Sequence, residues 1–587
     1  MSTKHFINDP THLVNSALQS LPHTNPSLAL DLPNKTIYRR APSPSHVSIV
    51  SGGGSGHEPS FASFVGAGLL TASVAGTIFA SPSAEQIRRC IAHHIPQQQG
   101  VLVVVMNYTG DVLNFGMGVE KARARGVQAD MVVVGDDAGV GRERGGKVGR
   151  RGIAGTCLVL KIAGALAARG APLKDVSAVA QLTANNLVSI GSSLSHVHVP
   201  GRTITATGED ELGPSEIEIG MGIHNEPGSE RKTTDLPGLV KTMLAHCLDR
   251  SDKDRHFVDI SERDEVVLLV NNLGGVSVLE LGGITNEVVE QLADDWNIKP
   301  VRILAGTFMT SLNGLGFSIS LLRVTDTGLG AGASMIELLD APSEAAGWSA
   351  VVKTDTWTSQ EEPMQRQNTN IDETWTSNLR IDPEIVQSAL TTALNRLIAA
   401  EPDITRYDTI VGDGDCGIGL KRGAEAILEM LRGATKTDDA LTLVQKITQV
   451  VELAMDGTSG AIYAIFFNAL AHGLSQNAPS SPQPITAEIW SKALGSSLQS
   501  LSRYTPAKPG DRTLMDALYP FVEKLSEGGH MEEAANAAAE GARNTQGMRA
   551  SLGRTVYVGG EGWQGVPDPG AHGLAELLQG LSEGLKK

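Results

Sequence analysis

From residue 381 onward apolar residues recur almost only at the three-to-four spacing of a helix, whereas before residue 350 short β-branched runs alternate with glycine-rich loops. A helical period does not settle as a strand, nor a strand run as a helix, so this change of texture commits the chain to domains of two different classes. The length of 587 residues agrees, because a single hydrophobic core stops growing near roughly 250–300 residues.

In the first part HVSIV (46–50) leads into SGGGSGHEPS, VLVVVM (101–106) into NYTGDVLNFG, and MVVVG (131–135) into DDAGVGRERGGKVG. Such runs predict a buried, largely parallel sheet, with ligands at the carboxyl ends of its strands, where all three polar loops lie. After about residue 195, VHVPGRTITATGED and EIEIGMGIHNEPG read as β-rich turns, and EVVLLVNNLGG, VRILAGTF and GFSISLLRV as strands of a second α/β lobe. The expected division is a domain 1–349, with lobes of about 1–193 and 194–349, then a linker 350–378 and an all-α domain 379–587 of seven or eight helices. The linker is polar and aperiodic, and its Trp357 and Trp375 suggest that parts of it dock on a surface.

Charge and composition narrow the function classes. Against 48 basic residues stand 65 acidic ones, a net charge of −17, the wrong sign for a nucleic-acid footprint. No stretch of about 20 apolar residues offers a membrane span. The start MSTKHFINDP lacks an apolar signal region, the end SEGLKK is not a peroxisomal address, and the four cysteines form no CxxC pair. A cytoplasmic chain with reduced thiols is expected. Glycine is abundant, at 65 residues, and aromatics are scarce, at 4%, which suits tight turns that approach small ligands closely.

The strongest motif is Asp408-x4-Asp413-Gly414-Asp415-Cys416-Gly417. Its three carboxylates, brought together by glycines, suit Mg²⁺, which takes hard oxygen ligands together with substrate phosphates. An EF-hand is excluded, since Ala424 stands at the twelfth position where Glu is required. A bare Asp-Gly-Asp is more often a solvated turn; three further loops at helix boundaries shift the balance. They are Asp456-Gly457-Thr458-Ser459-Gly460, Lys508-Pro509-Gly510-Asp511-Arg512-Thr513 and Pro567-Asp568-Pro569-Gly570. Thr458 and Ser459 ahead of a helix offer hydroxyls and free N–H groups to an anion. Each loop alone is more often an ordinary cap; four in one helical domain suggest an end that holds a metal–phosphate ligand.

The loop Gly52-Gly53-Gly54-Ser55-Gly56-His57 is neither a Walker A sequence nor G-x-G-x-x-G, because His57 occupies the third glycine position. GRERGGK (141–147) matches the P-loop spacing, but Val148 stands where Ser or Thr must follow. Asp111, after the VLVVVM strand, reads equally as a general base or as the N-cap of the next helix. His224 lies among glycines and a Pro turn, so it can project into a cleft, and an imidazole there can add to a ketone; spacing alone does not decide it.

Taken together, GGGSGHEP, NYTGDVLNFG, GVGRERGGKVGRRG, EIGMGIHNEPG, LVNNLGG, TFMTSLNGLGFS, GDGDCG, DGTSGAIY, PGDRT and PDPGA resemble, in collinear order from residue 52 to 571, the single-chain dihydroxyacetone (glycerone) kinases of the triokinase family. The resemblance implies an N-terminal kinase domain in which His224 binds the triose carbonyl covalently as a hemiaminal. Asp111 is then the catalytic base, and Gly54, Ser55, Gly56 and His57 form the substrate loop. It implies a C-terminal eight-helix barrel in which Asp408, Asp413 and Asp415 hold Mg²⁺. Asp413–Cys416, Thr458, Ser459, Arg512, Thr513 and Asp568–Gly570 would line the ATP site. It favours a homodimer with domains crossing between chains, no nucleic-acid or membrane partner, and ATP rather than a phosphoenolpyruvate-fed carrier as donor.

Three positions depart from the family pattern. Met106 stands where many members have a lysine that contacts the triose, Gly76-Thr77 where many have Gly-Asp, and Asp456 where bacterial members have Gly. The first departure implies weak use of dihydroxyacetone, or a preference for a carbonyl substrate less dependent on that contact, and Met106→Lys is expected to raise kcat/KM on dihydroxyacetone. It also keeps a second class open, a catalytically weak paralogue acting as a triose sensor or partner-binding protein, against which the retained metal carboxylates argue. A cyclising lyase activity on FAD, known in the animal relatives, is undecided at this level, as is the preference between dihydroxyacetone and glyceraldehyde.

Overall fold

The computed structural model describes residues 4–202, 212–349, 352–359, 376–433, 437–552, 554–557 and 562–586. The chain divides into two compact units, Met1–Pro363 and Met364–Lys587. Part of the VHVPGRTITATGED segment (203–211) and most of the linker, including Trp375, lie outside the described residues.

The first unit contains two six-stranded sheets. In the first, strands β1 (Leu28–Asp31), β2 (Thr36–Arg39), β3 (Ser48–Ser55), β4 (Ala72–Ile78), β5 (Val101–Met106) and β6 (Ala129–Val134) lie in the order β1-β2-β4-β3-β5-β6. β4, β3, β5 and β6 are parallel, and β1 and β2 add an antiparallel edge. β5 is buried throughout because both its faces are covered, which is why its sequence is continuously apolar rather than alternating. Val101, Val103 and Val105 pack with Ile87 and Phe115 on one side. Leu102, Val104 and Met106 belong to a larger core that includes Leu158 and Ile162 of the nearly all-buried helix Thr156–Ala168.

The second sheet takes strands β7 (Leu187–Ser193), β8 (Ile217–Ile219), β9 (Glu230–Lys232), β10 (Val266–Asn272), β11 (Arg302–Gly306) and β12 (Gly316–Arg323), in the order β11-β10-β12-β7-β8-β9. Only β10 and β11 run parallel. β7 starts ahead of the residue-194 boundary expected between the lobes. Its sequence, LVSIGSS, is more than half serine and glycine, yet all of it is buried. The hydroxyl of Ser189 is satisfied internally, donating to Asp136 Oδ2 at 2.5 Å, so this strand needs no apolar alternation.

Within the linker region, Thr354–Thr358 forms one helical turn. Its Trp357 lies under the Arg302 guanidinium, 5.3 Å from the ring centroid, and Thr354 donates to Asp340, itself paired with Arg302. The docking expected of Trp357 is thus present within the first unit.

The second unit is helical. Its eight α-helices among the described residues are Pro383–Val411, Cys416–Gly433, Ala440–Ala454, Gly457–Gln476, Ala487–Leu501, Met515–Ser526, Met531–Asn544 and Pro569–Gly584. Each packs on the next, and the last packs on the first. That closing contact depends on glycine: a Cβ on Gly580 or Gly584 would lie 2.7 or 2.5 Å from the Cα of Ala393 or Ala389. Among the described residues no helix is long and apolar enough to cross a membrane.

Candidate active site

Parallel strands deliver their carboxyl ends to one edge, and there β3 and β5 place the glycine loop and the NYTGD segment side by side. Gly52 and Gly53 continue β3 with φ of 156° and 154°. At Gly52 a Cβ would fall 2.1 Å from the Val74 carbonyl; at Gly53 it would meet Asp111 Oδ2 at an ordinary 3.4 Å. Bare backbone is therefore what lets β3 lie against β4 at Gly52. The Ser55 hydroxyl is committed to the Gly76 carbonyl at 2.9 Å, and the Gly56 carbonyl accepts from Leu312 N. Gly54 is the one partly exposed residue between Gly52 and His57.

Asp111 is not the helix cap. The helix Thr109–Arg123 begins after Tyr108, and Asp111 lies in its first turn. Its carboxylate is buried, 4% exposed, and Oδ1 has no hydrogen-bond partner. Burial pushes its pKa up to about 6, against the lowering exerted by a Ser81 hydrogen bond and by His224. A buried carboxylate with an unused oxygen and a pKa near neutrality is suited to accept a proton.

His57 and His224 meet at 3.1 Å between their Nε2 atoms. The Nδ1–H of His57 donates to the Thr310 carbonyl at 2.8 Å, so its Nε2 carries the lone pair. Burial, and then the neighbouring His224, push the His57 pKa down to about 3, which keeps the ring neutral. His224 Nδ1 lies 2.9 Å from Glu226 Oε1, and its backbone N–H donates to Glu226 Oε2 at 2.9 Å. Although burial raises the Glu226 pKa, these bonds and the imidazole charge bring it down to about 2. Glu226 is therefore an acceptor beside Nδ1 of the His224 ring, and the lone pair of His57 Nε2 faces its Nε2. Phe79 and Tyr108 box the ring edge-on at 5.2 and 4.7 Å.

Glu226, Thr310, Phe79 and Tyr108 were not singled out from the sequence. Tyr108, Glu226 and Thr310 lie within quoted motifs, so a signal exists for them. Phe79, a non-glycine residue at φ 59°, left none. Met106 is 1% exposed and packs with Leu102 and Val104 in a core against which Phe79 and Tyr108 of this site also lie. The cost of burying an ammonium there weighs against the gain expected from Met106→Lys. Met106→Lys is expected to lower the melting temperature and leave kcat/KM no higher; a thermal scan beside steady-state kinetics checks both.

In the helical unit, ligand atoms of Asp408, Asp413 and Asp415 lie within 4.8 Å of one another. Asp408 is buried and its Oδ2 accepts from Cys416 N at 3.0 Å, which shapes the turn; Asp413 and Asp415 are largely exposed. Three carboxylates with no nitrogen or sulfur fit a hard divalent cation. Thr458 and Ser459 open the helix Gly457–Gln476, and Ser459 Oγ is 3.8 Å from Cys416 Sγ, so this helix start adjoins the carboxylate turn. Asp568 caps the helix that begins at Pro569, accepting from Ala571 N at 2.8 Å. Burial pushes the pKa of its carboxyl up to about 7, with Arg512 opposing and Asp516 and Asp408 adding to the rise.

Arg512 is buried, and its Nε and Nη1 have no hydrogen-bond partner among the described residues. It is 2% exposed, at φ 60°, and its Nη2 donates to the carbonyls of Trp563 and Val566 at 3.0 and 2.8 Å. It braces the loop ahead of Asp568 from inside. Thr513 N and Gly510 N both donate to Asp516, a residue the sequence reading did not single out.

The chain is matched by the family models described as Dak1 domain, over residues 19–347, and DAK2 domain, over residues 410–583. A kinase of this two-part class is what the α/β site and the carboxylate-bearing helical unit together define. The chain belongs to the single-chain dihydroxyacetone kinase family. It is 44% identical to the dihydroxyacetone kinase of Pichia angusta, over 100% of this chain and 99% of that one. It is 42% identical to dihydroxyacetone kinase 1 of Saccharomyces cerevisiae, over the full length of both. Among solved structures it is similar to the dihydroxyacetone kinase from C. freundii in complex with AMP-PNP and Mg²⁺. The TM-score there is 0.63 at 32% identity, covering 99% of this chain and 100% of that one.

Proposed function

We propose that this chain transfers the γ-phosphoryl group of ATP to a terminal hydroxyl of dihydroxyacetone, and of glyceraldehyde, while the triose is held on His224 as a hemiaminal. The observation that carries this reading is the arrangement around His224: Nδ1 fixed on Glu226, Nε2 on a neutral His57, and beside them a buried carboxylate with a free oxygen. As Nε2 bonds the carbonyl carbon its N–H breaks, and the proton passes by way of His57 to the carbonyl oxygen, which becomes the hemiaminal hydroxyl. Polyols such as glycerol have no carbonyl to add and are excluded on that ground. Asp111 then takes the proton of the free hydroxyl as the hydroxyl oxygen bonds the γ-phosphorus, the bond from that phosphorus to the bridging oxygen breaks, and ADP leaves. Transfer of this kind is mostly positioning and electrostatics.

Asp408, Asp413 and Asp415 would hold Mg²⁺, which when bound neutralises the phosphate oxygens. The segregation of roles supports residues 1–349 as the triose domain and 379–587 as the Mg-ATP domain, joined by 350–378. The closed packing order of the eight helices supports a barrel. The family resemblance supports a homodimer, and the free cysteines a reducing cytoplasm. Retention of three metal carboxylates favours the enzyme over a triose sensor. An ADP-release assay against dihydroxyacetone, glyceraldehyde and glycerol tests the reading; turnover of neither triose would overturn it.

The base assignment makes a pH prediction. Asp111 acts ionised, so kcat/KM for the triose should fall about tenfold per pH unit below roughly pH 6. Ser81→Ala removes the hydrogen bond that lowers the Asp111 pKa, so the acid limb should move to higher pH. An unmoved limb in that variant would detach it from Asp111.

A further inference from the structure

His224 stands on a loop after β8 of the second sheet, whereas His57 and Asp111 stand at strand ends of the first. The reaction needs these groups in one place, so something must fix the two lobes against each other at this point. The GVGRERGGKVGRRG segment, to which the sequence reading gave no role in the site, lies at that junction.

Arg151 spans it. Its Nε donates to Asp137 Oδ2 at 2.8 Å, and its Nη2 reaches both that carboxylate, at 2.7 Å, and the Gly220 carbonyl, at 2.7 Å. Asp137 is a rigid anchor: its side chain is 1% exposed, and Oδ1 accepts from Gly139 N at 2.8 Å. Gly139 packs so closely on Gly220 that a Cβ would lie 2.6 Å from the Gly220 Cα. The remaining guanidinium nitrogen faces Gly222, where a Cβ would lie 2.5 Å from Arg151 Nη1 and 2.1 Å from Glu226 Oε2. The arginine therefore grips the start of the loop and lies across the Gly222 backbone from the carboxylate that orients His224. Gly222 N donates to Glu226 O, which closes the loop on itself, and Ser311 Oγ donates to the Ile223 carbonyl, which ties the loop to the segment after β11. Arg144 holds the far end through the Gly228 and Pro227 carbonyls at 2.8 and 3.2 Å, but from an exposed position where such bonds count for little.

We propose that Arg151 is a positioning residue for triose binding, a strut that holds the Gly220–Glu226 loop, and with it His224 and Glu226, in register with His57 and Asp111. This rests on the reading of His224 as the residue that takes the triose. A fork that bonds a carboxylate and a backbone carbonyl at once is a task for guanidinium geometry, which the point charge of lysine does not reproduce.

The test measures, on the full chain, the dihydroxyacetone concentration that half-saturates the His224 adduct by native intact-mass spectrometry, beside KM for ATP. Arg151→Met and Arg151→Lys are each expected to raise the half-saturating triose concentration by about ten- to a hundredfold with KM for ATP unchanged, the scale of charge-assisted bonds lost. Arg151→Met/Asp137→Asn removes the buried charge left unpaired, so it restores folding without restoring the grip on Gly220. Gly222→Ala strikes the same junction with every charge in place, and a rise is expected there too. If the double variant or Arg151→Lys binds triose as the wild type does, Arg151 serves only to neutralise Asp137 and the strut is wrong. If instead His224→Ala still forms the adduct, the reading of the site fails, whatever Arg151 does.

Discussion

His224→Ala is expected to lower triose phosphorylation by roughly 10³-fold or more, the order of advantage that a fixed, oriented reactant confers, and to abolish a covalent triose adduct seen in the wild type. The ring is held for this task at both nitrogens, by Glu226 at 2.9 Å and His57 at 3.1 Å. The mass gained by the wild type should be that of a whole triose, because addition to a carbonyl expels no water. An imine on a lysine would fall short by one water, so the same spectrum separates the two chemistries. Glu226→Gln keeps the hydrogen-bond reach but removes the anion that holds Nδ1–H, and should weaken the adduct without abolishing it. A triose bound noncovalently, away from His224, or a His224→Ala chain that still gains the triose mass, would sink the covalent role.

The parts of the site legible in sequence were those written as punctuation. Asp111 and His57 follow apolar runs that could only be strands, and strand ends in a parallel sheet collect ligands. His224 could be located among glycines, but its partner could not be chosen, because Glu226 gains meaning only when the loop folds back on itself through Gly222 N and Glu226 O. Phe79 and Thr310 come from remote elements, and no periodicity links them to residue 224. Met106 shows the opposite failure. A motif comparison places it against the substrate, but only the alternation of β5 shows that it also packs with Leu102 and Val104 in the core, where an ammonium is costly to bury. In the helical unit the composition of the loops gave the carboxylates. It did not reveal that Arg512 turns inward to brace a backbone, since exposure of a loop arginine is the usual outcome. The extent of β7 was hidden because its buried serines are satisfied by hydrogen bonds rather than excluded from the core.

Asp413→Asn or Asp415→Asn should cut Mg-ATP turnover by about a hundredfold or more while leaving the triose adduct as it is in the wild type. Each change keeps the size of the side chain and removes one negative charge from a set whose ligand atoms lie within 4.8 Å. Hard divalent cations are held by that charge, and phosphoryl transfer depends on the cation to offset charge on the phosphates. Asp413 and Asp415 are largely exposed, where substitutions usually cost little, so the melting temperature should stay near that of the wild type. Asp408 is the contrasting case. It is 8% exposed and its Oδ2 accepts from Cys416 N, so Asp408→Asn should disturb the turn itself and lower stability as well as turnover. Raising Mg²⁺ should recover part of the activity of the Asp413 and Asp415 variants, because weakened affinity is offset by concentration. The triose is assigned to the other unit, with none of its groups among these three residues, so its adduct titration should not shift. Adduct formation weakened as strongly as ATP use would make the assignment of two separate sites wrong; full turnover at low Mg²⁺ would remove the metal from these carboxylates.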